Sequence, residues 1–164
     1  MTKKNAFIVC VAALALTSVA QAQITNIQWN NASGGNFNTL ANWTPGTIAM
    51  DNWGEVRFLN IAPSGDVVLS ANATSSAFRV YGTSTTVTLD LAGHTYKTTN
   101  GINQWTIGND TGSKTVTFKS SQPGGKLELE HLRIGPVAGD TINADFTGSN
   151  LVVNLNLPAG ADHH

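Results

Sequence analysis

The 164-residue chain has a single cysteine, Cys10, close to its start and inside an apolar stretch. A disulfide-stapled fold is therefore excluded, and so are zinc ribbons and cysteine nucleophiles. Charge is scarce as well: Asp, Glu, Lys and Arg make up 12% of the chain, and no basic cluster occurs. That argues against nucleic acid or an anionic membrane as partner. The apolar run Phe7–Val19 is shorter than the ~20 residues a membrane span needs, and none follows it. After Ala22 helix formers are sparse and no 3.6-residue apolar period appears, so an all-β chain is expected. Also missing are Gly-x-Ser-x-Gly, His-Glu-x-x-His, a phosphate-cradling glycine loop and EF-hand spacing.

What the chain does contain begins with a leader. Lys3 and Lys4 precede the apolar Phe7–Val19, and Ala20-Gln21-Ala22 is a small-x-small cleavage signal. Residues 1–22 read as a signal peptide cut before Gln23, which predicts a secreted or cell-surface protein. Without the leader seven basic residues face ten acidic ones, a formal charge of −3. The 142 residues that remain of the 164 are enough to bury a core unaided. They are rich in Thr (20 in the whole chain) and Asn (17), which suit strand faces and tight turns.

From Phe78 to Asn154 a three-strand phrase occurs three times. Each begins with a short strand ending in glycine: Arg79–Gly82, Trp105–Gly108 and Leu132–Gly135, the glycines 26 and 27 residues apart. Second strands follow at Thr86–Leu91, Thr115–Lys119 and Thr141–Phe146, and third strands at His94–Lys97, Lys126–Leu129 and Asn150–Asn154. A fixed period of this size marks a solenoid, whose coils bury their apolar faces only against their neighbours. A looser coil over Val56–Ser70 precedes them, with Asn72–Ser76 as a polar loop. About four right-handed coils are expected, since parallel crossovers almost always have that hand. Alternation predicts an inner stack of Val80, Val87, Leu89 and Leu91 on Trp105, Ile107, Val116 and Phe118, then on Leu132, Ile134, Ile142, Ala144 and Phe146.

The phrase Trp29-Asn30-x-x-x-Gly34-Gly35-Asn36-Phe37, then Ala41-Asn42-Trp43, Gly46 and Val56-Arg57-Phe58, resembles the N-terminal motif of secreted bacterial β-helix proteins of the autotransporter-passenger-like and PEP-CTERM-associated type. Leu89-Asp90-Leu91-Ala92-Gly93-His94-Thr95-Tyr96 is similar to a strand-turn-strand phrase of the same proteins. Phe37 stands where a tryptophan is usual, and Asp51–Glu55 replaces a simpler Gly-Asp. The resemblance implies a parallel β-helix opened by an aromatic cap, and a structural or adhesive role outside the cell. Trp29, Phe37 and Trp43 supply the bulk for such a cap. Residues 23–58 then form the cap, 59–157 the coils and 158–164 a disordered tail.

Candidates for chemistry are thin. Exposed Trp29, Trp43 and Trp53 could stack on sugar rings, as in carbohydrate-binding modules. Asp66, Asp90, Asp110, Asp140 and Asp145 fall one per turn or strand. Among them Asp90 and Asp145, with Lys119 between, could form a charge ladder or, less readily, an acid–base site. His94 and His131 lack a paired ligand at metal-site spacing, and His163-His164 is a loose end. No catalytic residue, cofactor or metal is assigned. The leading reading is a non-enzymatic surface β-helix whose partners are extracellular polysaccharide or other surface proteins. A carbohydrate-binding β-sandwich and a polysaccharide-active β-helix enzyme follow. With no aromatic cap after Leu157, the sequence leaves three readings open: the first piece of a longer passenger, a truncated product, or a protomer that self-associates end to end.

Overall fold

A computed structural model describes residues 26–45, 53–99, 105–108, 110–129, 132–135 and 140–155 of the chain. The expected leader, the expected tail, His131, His163 and His164 lie outside these. The described residues form a parallel β-helix of about four coils on a capping turn.

The cap consists of β1 (Ile27–Trp29), β2 (Gly35–Asn36), a 3-10 turn at Leu40–Asn42 and β3 (Trp43–Thr44), which runs antiparallel to β1. β4 (Trp53–Leu59) and β5 (Val67–Val68) start the coils. β6 (Ala73–Tyr81) closes that coil with its first half and opens the next with its second. Then come β7 (Ser84–Asp90) and β8 (Thr95–Thr98); β9 (Trp105–Ile107), β10 (Gly112–Lys119) and β11 (Gly125–Leu129); and β12 (Leu132–Ile134), β13 (Asp140–Thr147) and β14 (Leu151–Leu155). Apart from β3, every pairing is parallel and joins equivalent strands of adjacent coils. That arrangement sets aside the β-sandwich.

The strands form because Thr, Val, Ile and aromatic residues alternate between a buried and a solvated side. β10 shows it plainly: Lys114, Val116 and Phe118 point inward while Thr115, Thr117 and Lys119 do not. In β6 the alternation breaks at Ala77 and Phe78, which are buried in succession, and there the strand turns a corner. Each coil therefore has three sides.

Residues stack in columns. Phe78, Trp105 and Leu132 lie in register one 27-residue turn apart, as do Val80, Ile107 and Ile134. The second side stacks Val67, Leu89, Phe118 and Phe146, and also Val87, Val116 and Ala144. The third stacks Ala73, Tyr96, Leu127 and Val153. Of the predicted inner stack, Val80, Val87, Leu89, Leu91, Ile107, Val116 and Phe118 are buried and Leu132, Ile142 and Ala144 pack against them, with Phe78, Tyr96 and Leu127 added; Ile134 and Phe146 keep their columns but are exposed, and the side chain of Trp105 lies outside the described part. Asn72–Ser76 is corrected: from Ala73 on it is strand, not loop. Ser75 is tolerated inside because its hydroxyl contacts Tyr96 Oη at 2.6 Å and reaches Ala77 O at 3.1 Å.

The glycine phrase needs a one-residue shift. Val80 pairs with Ile107, so Gly108 and Gly135 lie beside Tyr81, and Gly82 follows one position later. The turn from Gly108 to Ser113 is two residues longer than that from Tyr81 to Ser84. All three glycines still turn corners at positive φ: 95°, 85° and 59°.

An aromatic line runs through the core. Trp43 meets Trp29 at 4.9 Å, Phe37 at 4.9 Å and Phe58 at 5.7 Å. Phe58 continues to Phe78 at 5.6 Å, Phe78 to Phe118 at 5.8 Å, and Phe118 to Phe146 at 5.1 Å. Such contacts are each worth ~0.5–1.5 kcal/mol beyond the area they bury.

Candidate functional site

The tryptophans are interior where their side chains are described. Trp29 is 0% exposed and Trp43 2%, and their indole N–H groups donate to Asn31 O and Phe37 O, both at 2.7 Å. Neither ring has a free face for a sugar. The side chain of Trp53 lies outside the described part. Asparagines fasten this cap: Asn38 Oδ1 accepts from the backbone of Ser70 and Ala71, and Asn31 Nδ2 donates to Asn42 Oδ1 at 2.9 Å.

The Asp/Lys column is only partly as expected. Asp90 and Lys119 are neighbours in register, but the next residue in that column is Thr147. Asp145 lies one column over, beside Thr117 and Thr88, because β13 runs two residues further before its end. Lys119 Nζ pairs with Asp66 Oδ2 at 2.6 Å, and this contact, with help from Asp90, raises the lysine pKa. Burial pushes the Asp90 carboxyl up, but N–H donors from Ser121 and Ala92, both 2.9 Å from Oδ1, outweigh it and hold the group below its usual value. Asp90 thus acts as a turn acceptor tying Ser121 to its own coil.

Two features were not singled out in the sequence. On the first side Arg57, Arg79, Thr106 and Arg133 share an outer column. Glu55 clamps Arg57 Nε at 2.5 Å and Arg79 Nε at 3.1 Å, and Arg79 Nη1 donates to Thr106 Oγ1 at 2.9 Å. Arg79 also lies over the Tyr81 ring at 5.9 Å; burial, then Glu55, raises the Tyr81 pKa against the pull of both arginines. These arginines are far apart in sequence, so only the coil period could have brought them together on paper.

The second feature is Lys114, fully buried at an inward position of β10. Its ammonium meets the backbone oxygen of Asp110 and, at 2.9 Å as an ion contact out of hydrogen-bond alignment, Asp110 Oδ1. Asp110 Oδ2 in turn accepts the Gly82 N–H at 2.6 Å. Lys114 and Asp110 pin one corner to the coil before it.

The outer side of β7 and β10 is uncharged over most of its width. Ser84 beside Ser113, Thr86 beside Thr115 and Thr88 beside Thr117 form three hydroxyl pairs, continued on β13 by Thr141, Asn143 and Asp145. No three His, Cys, Asp or Glu residues come together for a metal among the described residues. No helix among them is long and apolar enough to cross a membrane. No protein-family model, no curated protein and no solved structure matches the chain.

Proposed function

We propose that this chain is an exported, non-enzymatic β-helix that presents its flat outer sides as a structural or adhesive surface outside a bacterial cell. The observation that carries the reading is register. Outward residues repeat in columns at the ~4.8 Å spacing of paired strands, so the second side, with Ser84 beside Ser113, Thr86 beside Thr115 and Thr88 beside Thr117, offers hydroxyls several times over. Repetition favours many weak contacts with an extended partner over one tight contact with a small molecule. The leader, Met1–Ala22, and the resemblance of Trp29–Phe58 to secreted β-helix proteins support the location.

The partner fitting this role is an extracellular polysaccharide or another surface protein, met on an outer side and not at Trp29 or Trp43. The test has two parts. Expressed with its leader in a bacterial host, the chain should leave the cytoplasm with a mature mass that begins at Gln23. The purified protein should then be retained on insoluble polysaccharide or a protein-coated surface without degrading it. Retention in the cytoplasm with the leader intact would remove the export reading; release of sugar fragments would replace the adhesive role with the enzymatic one.

A further inference from the structure

We infer that the arginine column on the first side binds a carboxylated polysaccharide, with Arg57 and Arg133 as the groups that grip its carboxylates. The inference rests on the adhesive reading for the kind of partner and adds to it a place and a chemistry.

The chain has three arginines, Arg57, Arg79 and Arg133, and all three stand in one outward column. The described lysines, Lys97, Lys114, Lys119 and Lys126, lie on the second and third sides. Cations that only keep a face solvated can be of either kind. A column that gathers the guanidiniums alone points to a partner that needs a fork. Arginine presents paired donors in the plane of a carboxylate, whereas lysine is a single point charge.

Charge on this side is out of balance. Among the described residues of β1, β4, β9, β12 and the second half of β6, Glu55 is the only acid. Three guanidiniums thus face one carboxylate, in a chain whose formal charge is −1. Glu55 gives one oxygen to Arg57 Nε and the other to Arg79 Nε, and so holds both forks by the same edge. Arg79 is 18% exposed and spends Nη1 on Thr106. Arg57 is 36% exposed, and its two terminal nitrogens make no hydrogen bond among the described residues. It is anchored at one edge and open at the other. Arg133, at the far end of the column, is exposed and stands three strand spacings, ~14 Å, from Arg57.

Leu59 and Tyr81 pair in the next outward column, both half-buried. An aliphatic and an aromatic side chain give the C–H face of a sugar ring a surface to lie on, which a phosphate backbone or an acidic peptide does not need. A polymer with carboxylates on its rings can meet Arg57 and Arg133 together, the first contact raising the local concentration for the second.

The probes are polygalacturonate and the same polymer with its carboxyls methyl-esterified, an exchange that removes the charge and keeps the rings. The purified chain should bind polygalacturonate, less tightly as salt rises, and the ester about tenfold more weakly or worse. Arg57→Gln should cost about tenfold in affinity, and Arg57→Lys, which keeps the charge and loses the fork, should recover little of it. Arg133→Gln should weaken binding as well. Lys97→Gln, which removes one charge from the third side, should leave it unchanged, and circular dichroism should show the same β-type spectrum for every variant. Equal binding of acid and ester, or full affinity in Arg57→Lys, would overturn the arginine site and leave the adhesive reading standing. Duplex DNA or polyglutamate bound as tightly as polygalacturonate would overturn the sugar assignment. Binding of neither polymer would also remove the site, whereas the adhesive reading falls only if insoluble polysaccharide and protein-coated surfaces retain nothing either.

Discussion

Trp43 shows how much a single residue carries here. It touches Trp29, Phe37 and Phe58 and bonds Phe37 O through its indole, so Trp43→Ala removes the cap's centre. The expected loss is about 3–5 kcal/mol, read as a lower urea midpoint with little change in slope. Gly34 is constrained in another way: at φ 81° an added Cβ would lie 2.4 Å from Gly65 O, which is backbone and cannot swing aside. Gly34→Ala should cost more than the ~1–3 kcal/mol of strained backbone alone. Asp90 gives the chain a pH dependence. Its folded pKa lies below its unfolded one, so the stability it contributes is present above about pH 4 and drains away as pH falls through the folded value. Asp90→Asn, which keeps an acceptor for Ser121 and Ala92, should flatten the acid limb of a stability–pH curve by lowering the neutral region while leaving the acid end nearly unchanged. Of these residues the tryptophans were legible from the sequence, since bulk beside glycine turns has to cover something. The duty of Asp90 was not, because its donor Ser121 lies a coil away.

At the scale of strands, position in the stack sets the cost of a change. Phe118 and Phe146 share a column, yet among the described residues Phe118 has paired strands on both sides and Phe146 on one. Phe118→Ala should cost about 3–5 kcal/mol and Phe146→Ala, already partly exposed, clearly less, compared in chemical denaturation. The Glu55 clamp on β4 and β6 joins partly exposed groups, so Glu55→Gln should shift stability by less than ~1 kcal/mol in spite of its short contacts. The second strands were readable because Thr-Val-Thr alternation is unambiguous. The opening strand of the first phrase, Arg79–Gly82, was read one residue out of register with the other two, since the glycines were taken as the anchor while the turns after them differ in length. β6 was read as loop plus strand because Ser and Thr dominate its first half. Its inward serine is explained only by the Tyr96 hydroxyl, which the sequence places 21 residues downstream.

For the whole molecule, the repeat conveyed the fold while saying little about what the outer sides meet. Charge columns arise from residues about a coil apart, and their neighbours depend on turn lengths that sequence alone leaves loose. One consequence of the 27-residue coil concerns reach. Each coil advances by a single strand spacing, so the chain gains length at only ~0.2 Å per residue, against ~1.5 Å for an α-helix. Four coils would set an attached object only roughly 20 Å away, on a three-sided cross-section held by paired strands. A chain built this way makes a poor tether and a good plinth: it fixes the orientation of whatever stands on it far more than it extends the distance.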